Sequence, residues 1–341
     1  MPRLVFSPSG AFGMSVAISL NRDLPKNDDP ENVNFLVSLP SIPNSPVYPW
    51  WQVPHRYRNG KEGDPDLEFN KNNTVANTVS WGFVFNSFTE LERVYFEHLK
   101  RELGNDRVWA VGPVLPPEQG DLEEQGNRGG ASSLPCHDVM TWLDSHPANS
   151  VVYVCFGSRT VLNSKQMDAL TAALELSGVS FILCVRGADG RLAHDDPGVI
   201  PDGFEDRVDG RGLVIRGWAP QVAILRHCAV GAFLTHCGWN SVLEGIAAGV
   251  VMLAWPMTAD QFTNAKLLVD QLWVGILVGG GDQNIPESTE LARLLGISIV
   301  GGTPERVRVK KLSDAALAAV NGGSSDQDLD EIIKILADYK K

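Results

Sequence analysis

The sequence predicts an α/β protein of two domains built on parallel sheets, on three observations. Its 341 residues, 43% of them hydrophobic, suffice for two separate cores. Short continuous apolar runs alternate with helical patterns, as in βαβ units that hold ligands at the carboxyl ends of their strands. The stretch Pro116–Ser133 is rich in Gly, Glu, Gln and Ser and lacks hydrophobic periodicity, which is the composition of a linker. The expected domains are residues 1–117, a linker over 118–133, a second domain over 134–325 and a terminal helix over 326–341.

Along the chain, Leu4–Phe6 reads as the end of a buried strand, Ser7-Pro8-Ser9-Gly10 as a turn and Ala11–Leu20 as a helix. Asn21–Gly63 is proline-rich, which blocks helix and central strand alike, so a long loop excursion is expected. Trp81–Asn86 is a short β run. A helix over Glu90–Leu103 follows, with Leu91, Val94, Tyr95 and Leu99 on one face and Gly104 at its end. Val108–Val111 is another strand. The second half opens with the β run Val151–Phe156, then a helix capped by Ser164 that carries Met167, Leu170, Ala173 and Leu174. Phe181–Val185, Leu213–Ile215, Ala232–Thr235 and Val251–Ala254 are further strands, and Glu305–Val320 and Asp328–Tyr339 are closing helices.

Composition removes several function classes. Lys and Arg number 29 against 41 Asp and Glu, a formal charge of −12, and no basic run appears. Such a chain repels nucleic acid and anionic membrane surfaces. The longest uncharged apolar stretch, Gly245–Met257, is too short to span a bilayer. Pro8, Gly10 and Gly13 interrupt the apolar N-terminus, so strand and helix fit better than a signal peptide. Asn72-Asn73-Thr74 matches a glycosylation acceptor, a pattern loose enough to arise by chance. The five cysteines, Cys136, Cys155, Cys184, Cys228 and Cys237, form no C-x-x-C pair and suit a reducing cytoplasm. They build no zinc-ligand spacing with the seven histidines. An oxidoreductase is disfavoured because no G-x-G-x-x-G opens a βαβ unit.

The segment from Trp218 to Gln261 is the most informative. A strand end, the turn His236-Cys237-Gly238-Trp239 and a helix opening at Asn240-Ser241 place free N–H groups and a positive dipole end where an anion binds. The plainer alternative is that Asn240 or Ser241 caps the helix. Glu244, one turn on, can accept from two vicinal ribose hydroxyls, or serve as a helix-terminus charge. Trp218 follows a strand end, where an indole is either a platform for a flat base or a core residue. Asp260-Gln261 pair an acceptor with an amide for sugar hydroxyls, and Asp260 is equally a candidate N-cap.

GWAPQ, THCGWNS-x-x-E and WP-x-x-x-DQ occur together here at the spacing of the nucleotide-sugar signature of plant family 1 UDP-dependent glycosyltransferases. VVYVCFGS (Val151–Ser158) resembles that family's phosphate-contacting loop, and PRLVFSPSGAF, SWGFVFNSFTELE and RVWAVGPVLP resemble its N-terminal domain. Val251 is a minor departure. The resemblance implies a GT-B-like fold, two Rossmann-like domains facing a cleft, the N-terminal one incomplete. It implies that Trp218 stacks on uracil, that Gln221 and Glu244 hold the nucleoside, and that Ser158, His236, Asn240 and Ser241 hold the diphosphate. Ala219 belongs to the same donor set, and Trp239, Asp260 and Gln261 meet the sugar, expected to be glucose.

The implied reaction is inverting transfer from UDP-sugar to a hydroxyl of a small lipophilic acceptor, such as a flavonoid or other phenolic, with no metal and no further cofactor. The family's catalytic His and its Asp partner precede the segment matching residue 1, so the chain is expected to be truncated and to lack both. His55, His98, His137, His146, His194 and His227 follow no first strand. A UDP-sugar-binding protein without a catalytic base is the alternative, and a nucleotide-sugar epimerase a third reading. The D-x-D patterns at Asp64–Asp66, Asp326–Asp328 and Asp328–Asp330 are expected to be solvated charge in a loop and a polar tail.

Overall fold

The computed structural model describes residues 3–29, 31–58, 63–116, 131–186 and 196–338. Most of the expected linker, and His194, lie outside them. The chain divides into two compact units, residues 1–114 with 258–264 and 314–341, and residues 115–257 with 265–313.

The first unit holds a parallel sheet in the order β1-β4-β5, formed by β1 (Leu4–Ser7), β4 (Gly82–Phe85) and β5 (Val108–Ala110). β1 is a sheet edge, and Phe6 is 60% exposed, so the expected buried strand is a strand with one open side. Helix α1 (Ala11–Arg22) follows the turn as expected. The proline-rich stretch is more ordered than expected: β2 (Leu36–Ser38) pairs antiparallel with β3 (Val47–Pro49), and α2 (His55–Arg58) follows. Pro49 sits at a strand end, where the missing N–H costs no ladder bond.

Helix α3 (Pro65–Thr78) has no counterpart in the sequence expectation. The Asp64 carboxylate accepts from the Asp66 and Leu67 amides at 2.9 and 3.2 Å, and Pro65 occupies the first turn. Only Leu67 is buried, so there is no apolar stripe for periodicity to find. The first D-x-D pattern is therefore a helix cap, and Asn72-Asn73-Thr74 lies inside the helix. In α4 (Thr89–Leu103) the inward face is Leu91, Glu92, Tyr95, Phe96, His98 and Leu99, while Val94 is exposed. Glu92 has non-helical dihedrals (φ −133°, ψ 26°), a kink within this helix. In the tail patterns Asp326 and Asp330 are exposed, as expected, and Asp328 is half-buried. They lie in a helix over Ser324–Asp338, where Asp328 accepts the Ala110 amide at 2.7 Å and Ser325 donates to the Gly112 carbonyl at 2.6 Å. These two bonds tie the helix to the end of β5 and place it in the first unit.

The second unit is built on a six-stranded parallel sheet in the order β11-β10-β9-β6-β7-β8. Its strands are β6 (Val151–Cys155), β7 (Ser180–Val185), β8 (Gly212–Arg216), β9 (Val230–Thr235), β10 (Val251–Ala254) and β11 (Gly275–Leu277). β6 and β9 are buried along their whole length, which explains their unbroken apolar runs. One core lies under the helices Ser164–Ser177 and Ser288–Ser298, where Leu170, Leu174, Leu291 and Leu295 meet Val152, Val154 and Leu183. The cap of the first of these helices is Asn163, not Ser164: Asn163 accepts the Gln166 amide at 2.9 Å, and Gln166 returns a bond to the Asn163 amide. The strand order reverses between β6 and β9, so the loops leaving those two strands diverge at a topological switch point.

Candidate functional site

The loops at that switch point carry most of the expected site. After β9 the chain makes a tight turn through Cys237, which holds φ +63°, and enters the helix Trp239–Ala248. A non-glycine residue in this region is strained, and the Thr235 hydroxyl accepts the Cys237 amide at 3.2 Å in support. The helix N-cap is Gly238, with no side-chain cap bond, so neither Asn240 nor Ser241 is the cap. Asn240 is exposed on the first turn. The positive end of this helix and its leading amides suit an anion.

His236 packs against two glycines. A Cβ on Gly157, in the loop after β6, would lie 2.6 Å from the imidazole, and one on Gly238 would lie 2.6 Å from its Nε2. Gly157 has φ +75° and precedes the exposed Ser158. The absent side chains let imidazole, Gly157 loop and helix N-terminus share one place. Ser158, His236, Asn240 and Ser241, drawn from two separate loops, thus stand at adjacent strand ends.

Gln221 opens the short helix Gln221–Arg226. Its Nε2 donates to Ser241 Oγ at 3.0 Å and Glu244 Oε2 at 2.6 Å, and its Oε1 accepts from the Tyr153 hydroxyl at 3.2 Å. Burial pushes the Glu244 carboxyl up, while the Gln221 bond and the Arg226 charge pull it down. A carboxylate held by one amide retains a second oxygen for hydroxyl donors. Tyr153 is fully buried and its ring stacks on Phe233 at 5.1 Å, which fixes the hydroxyl.

Trp218 is half-buried in the turn after β8, with Ala219 buried behind it. The Arg186 guanidinium lies over the Trp218 ring, 5.2 Å from its centroid. The indole is thus a ring presented at a strand end with a cation already on one face. Trp239 is 4% exposed and belongs to the core rather than to an open surface.

Asp260 and Gln261 fall in the first unit. The Ser9 hydroxyl donates to Asp260 Oδ2 at 2.9 Å, and Gln261 Oε1 accepts the Thr258 amide at 3.0 Å. Sequence reasoning missed Ser9, Tyr153 and Arg186. Ser9 and Arg186 follow strand ends, the one positional signal that could have marked them; Tyr153 in mid-strand gives none. Among the described residues, no group of three or more His, Cys, Asp or Glu could hold a metal ion, and no helix is long and apolar enough to cross a membrane.

Comparison with known proteins gives the family and the fold. Residues 127–279 match the family model described as UDP-glucoronosyl and UDP-glucosyl transferase. The chain is 52% identical over 339 residues to UDP-glycosyltransferase 89B2 of Stevia rebaudiana, covering 98% of this chain and 70% of that one. It is 50% identical over 335 residues to the flavonol 3-O-glucosyltransferase UGT89B1 of Arabidopsis thaliana, covering 98% and 69%. Among solved structures, Arabidopsis thaliana UGT89C1 complexed with UDP-L-rhamnose superposes with a TM-score of 0.73 at 40% identity, covering 98% of this chain and 67% of that one.

Proposed function

The chain belongs to the UDP-glycosyltransferase family, and on that premise we propose that its second unit holds UDP-glucose for transfer to a hydroxyl of a flavonoid or related phenolic. The observation that carries the donor reading is the Gln221–Ser241–Glu244 cluster beside His236. One carboxylate, oriented by an amide, stands one helical turn from a set of anion-binding amides. That spacing suits a ribose joined to a diphosphate. In this reading Trp218 stacks on uracil next to Ala219, Glu244 and Gln221 take the ribose hydroxyls, and Ser158, His236, Asn240 and Ser241 take the diphosphate. The leading amide of Trp239, rather than its buried ring, faces the donor.

The chemistry asked of these residues is binding and charge stabilisation. In an inverting displacement, the acceptor oxygen bonds to the anomeric carbon as the bond to the UDP oxygen breaks. Developing charge on the diphosphate is met by the helix N-terminus and the Ser158 and His236 donors. The flavonoid class and glucose rest on likeness to the flavonol 3-O-glucosyltransferase; UDP-L-rhamnose in the similar structure makes rhamnose the competing sugar. A cytoplasmic setting rests on five free thiols.

A second reading, UDP-sugar binding without transfer, is favoured by the histidines. His98 is buried in α4, His146 stacks on Trp142 with centroids 4.0 Å apart, and His227 pairs with Asp144 at 3.1 Å. None of these three is placed as a general base. Incubation with UDP-glucose or UDP-rhamnose and a flavonol, followed by mass spectrometry, decides between them. A glycoside supports transfer, binding without product supports the second reading, and no UDP binding by calorimetry overturns both.

A further inference from the structure

Cys155 and Cys184 end two neighbouring parallel strands, and the β6–β7 register pairs them directly. Strand spacing sets their Cα atoms about 4.8 Å apart, inside the range of roughly 4.4–6.8 Å that disulfides span. Both are buried free thiols. The pair is wired to the donor site on two sides. Tyr153, whose hydroxyl holds Gln221, stands two residues before Cys155 and shares its face of β6. Cys184 Sγ lies 3.5 Å from the Gly217 carbonyl, next to Trp218. A small cleft whose lining includes Gly157, Cys184 and Arg186 reaches Cys184.

We propose that Cys155 and Cys184 close a reversible disulfide when met by a peroxide, and that closure loosens the nucleoside end of the donor site. The second half of this inference rests on the donor reading above. The neighbouring Cys184 thiol holds the Cys155 thiol below its ordinary range while Cys184 is pushed up, and the Arg186 charge favours the thiolate at both sulfurs. Cys155 is then the nucleophile. Its sulfur attacks a peroxide oxygen, the O–O bond breaks, and the displaced hydroxide takes the thiol proton to leave as water. The Cys184 sulfur attacks the resulting sulfenic acid, the S–S bond forms, and hydroxide leaves with the Cys184 proton as a second water. Two thiols are oxidised and one peroxide is reduced to two waters.

Closure draws each sulfur toward its partner, because Cβ atoms across a strand pair stand farther apart than the disulfide mean of about 3.8 Å. Cys184 Sγ leaves the Gly217 carbonyl beside Trp218. A bond formed with such strain is readily reduced, as a switch requires.

The test uses the full chain, treated with hydrogen peroxide, quenched with N-ethylmaleimide in denaturant and mapped without reduction. The expected result is a linked Cys155–Cys184 peptide that dithiothreitol removes, and UDP affinity about fivefold weaker in the oxidised chain. Cys184→Ser and Cys155→Ser, each compared with its own untreated state, should lose the peroxide effect. The unmodified chain's peptide map decides the disulfide even if neither variant folds. Alkylation of both residues after a dose that oxidises the exposed Cys228 would overturn the proposal. A linked peptide with unchanged affinity would overturn its functional half. A reduced chain that binds no UDP would overturn the donor reading and leave the peptide map to judge the disulfide alone.

Discussion

Gln221 donates to Glu244 across 2.6 Å, joining the start of one helix to the second turn of another, 23 residues on. Neither residue is fixed by its own backbone for this contact. The Tyr153 hydroxyl sets the Gln221 amide so that its oxygen faces Tyr153 and its nitrogen faces Ser241 and Glu244. A flipped amide would set its oxygen against the carboxylate. The carboxylate is therefore aimed before any ligand arrives, which reduces the ordering that binding must do.

Glu244 predicts a pH dependence. Burial raises its carboxyl above the usual value, so between the unfolded and folded pKa values the folded state binds more protons. Its contribution to stability is then greatest on the acid side and falls as pH rises through that window. Ribose hydroxyls need the carboxylate, so UDP binding has the opposite sign and weakens as pH falls through the raised folded pKa. Calorimetry from about pH 7 down to about pH 5 should show weakening affinity and proton release on binding. Glu244→Gln should bind UDP more weakly by about 1.5–3 kcal/mol, with a flat profile and no loss of Tm. The same slope in the variant would exclude Glu244 as its source.

Trp218 predicts a stacking contribution. Trp218→Ala should weaken UDP by ~1–3 kcal/mol, and Trp218→Phe by much less, because the platform is a ring face rather than an indole N–H. Arg186 already occupies one face of this ring, so the base takes the other face or displaces the guanidinium. Equal UDP affinity of the alanine variant and the parent, by calorimetry, would remove Trp218 from the site.

His236 and Gly157 predict a steric effect. Gly157→Ala puts a methyl 2.6 Å from the imidazole at a backbone φ of +75°. The ring must move away from the helix N-terminus. The expected outcome is UDP binding weaker by about 1–3 kcal/mol with a comparable loss of stability. Gly178→Ala, also at positive φ but with open space around it, separates the causes: it should cost stability alone. Matching UDP losses in both variants would assign the effect to folding.

The central strands of the second unit were legible because they are buried on both faces, and Val151–Cys155 and Val230–Thr235 show it as unbroken apolar runs, whereas the half-exposed edge strand Gly275–Leu277 was not. The turn through Cys237 and the helix after it were legible from their polar residues at a strand end. What stayed hidden lacked any apolar contrast. α3 buries only Leu67 and is set by one aspartate cap, so it read as a loop. Tyr153 reads as one more strand aromatic, and only the fold brings it to Gln221, 68 residues away. Asp328 reads as solvated charge and nothing marks Glu92, yet both accept backbone amides from strand or helix ends distant in sequence.

Glu92 carries the last prediction. It is 1% exposed and accepts from the Ala11 and Phe12 amides at 3.0 and 2.8 Å and from the Ser87 hydroxyl at 2.7 Å. The two amides are the orphan donors at the start of α1, so Glu92 is a cap supplied from another helix. Burial raises its carboxyl although all three donors pull it down. Stability from this group is thus greatest at low pH and falls as pH rises through the raised folded pKa. Glu92→Ala leaves three buried donors without an acceptor and should cost about 2–4 kcal/mol. Glu92→Gln keeps one acceptor oxygen, turns an amide toward the remaining donors, and should cost less while removing the pH slope. Urea unfolding at several pH values separates the two variants. If Glu92→Ala unfolds within about 0.5 kcal/mol of the parent, the three bonds do not hold α1, and water satisfies its N-terminus instead.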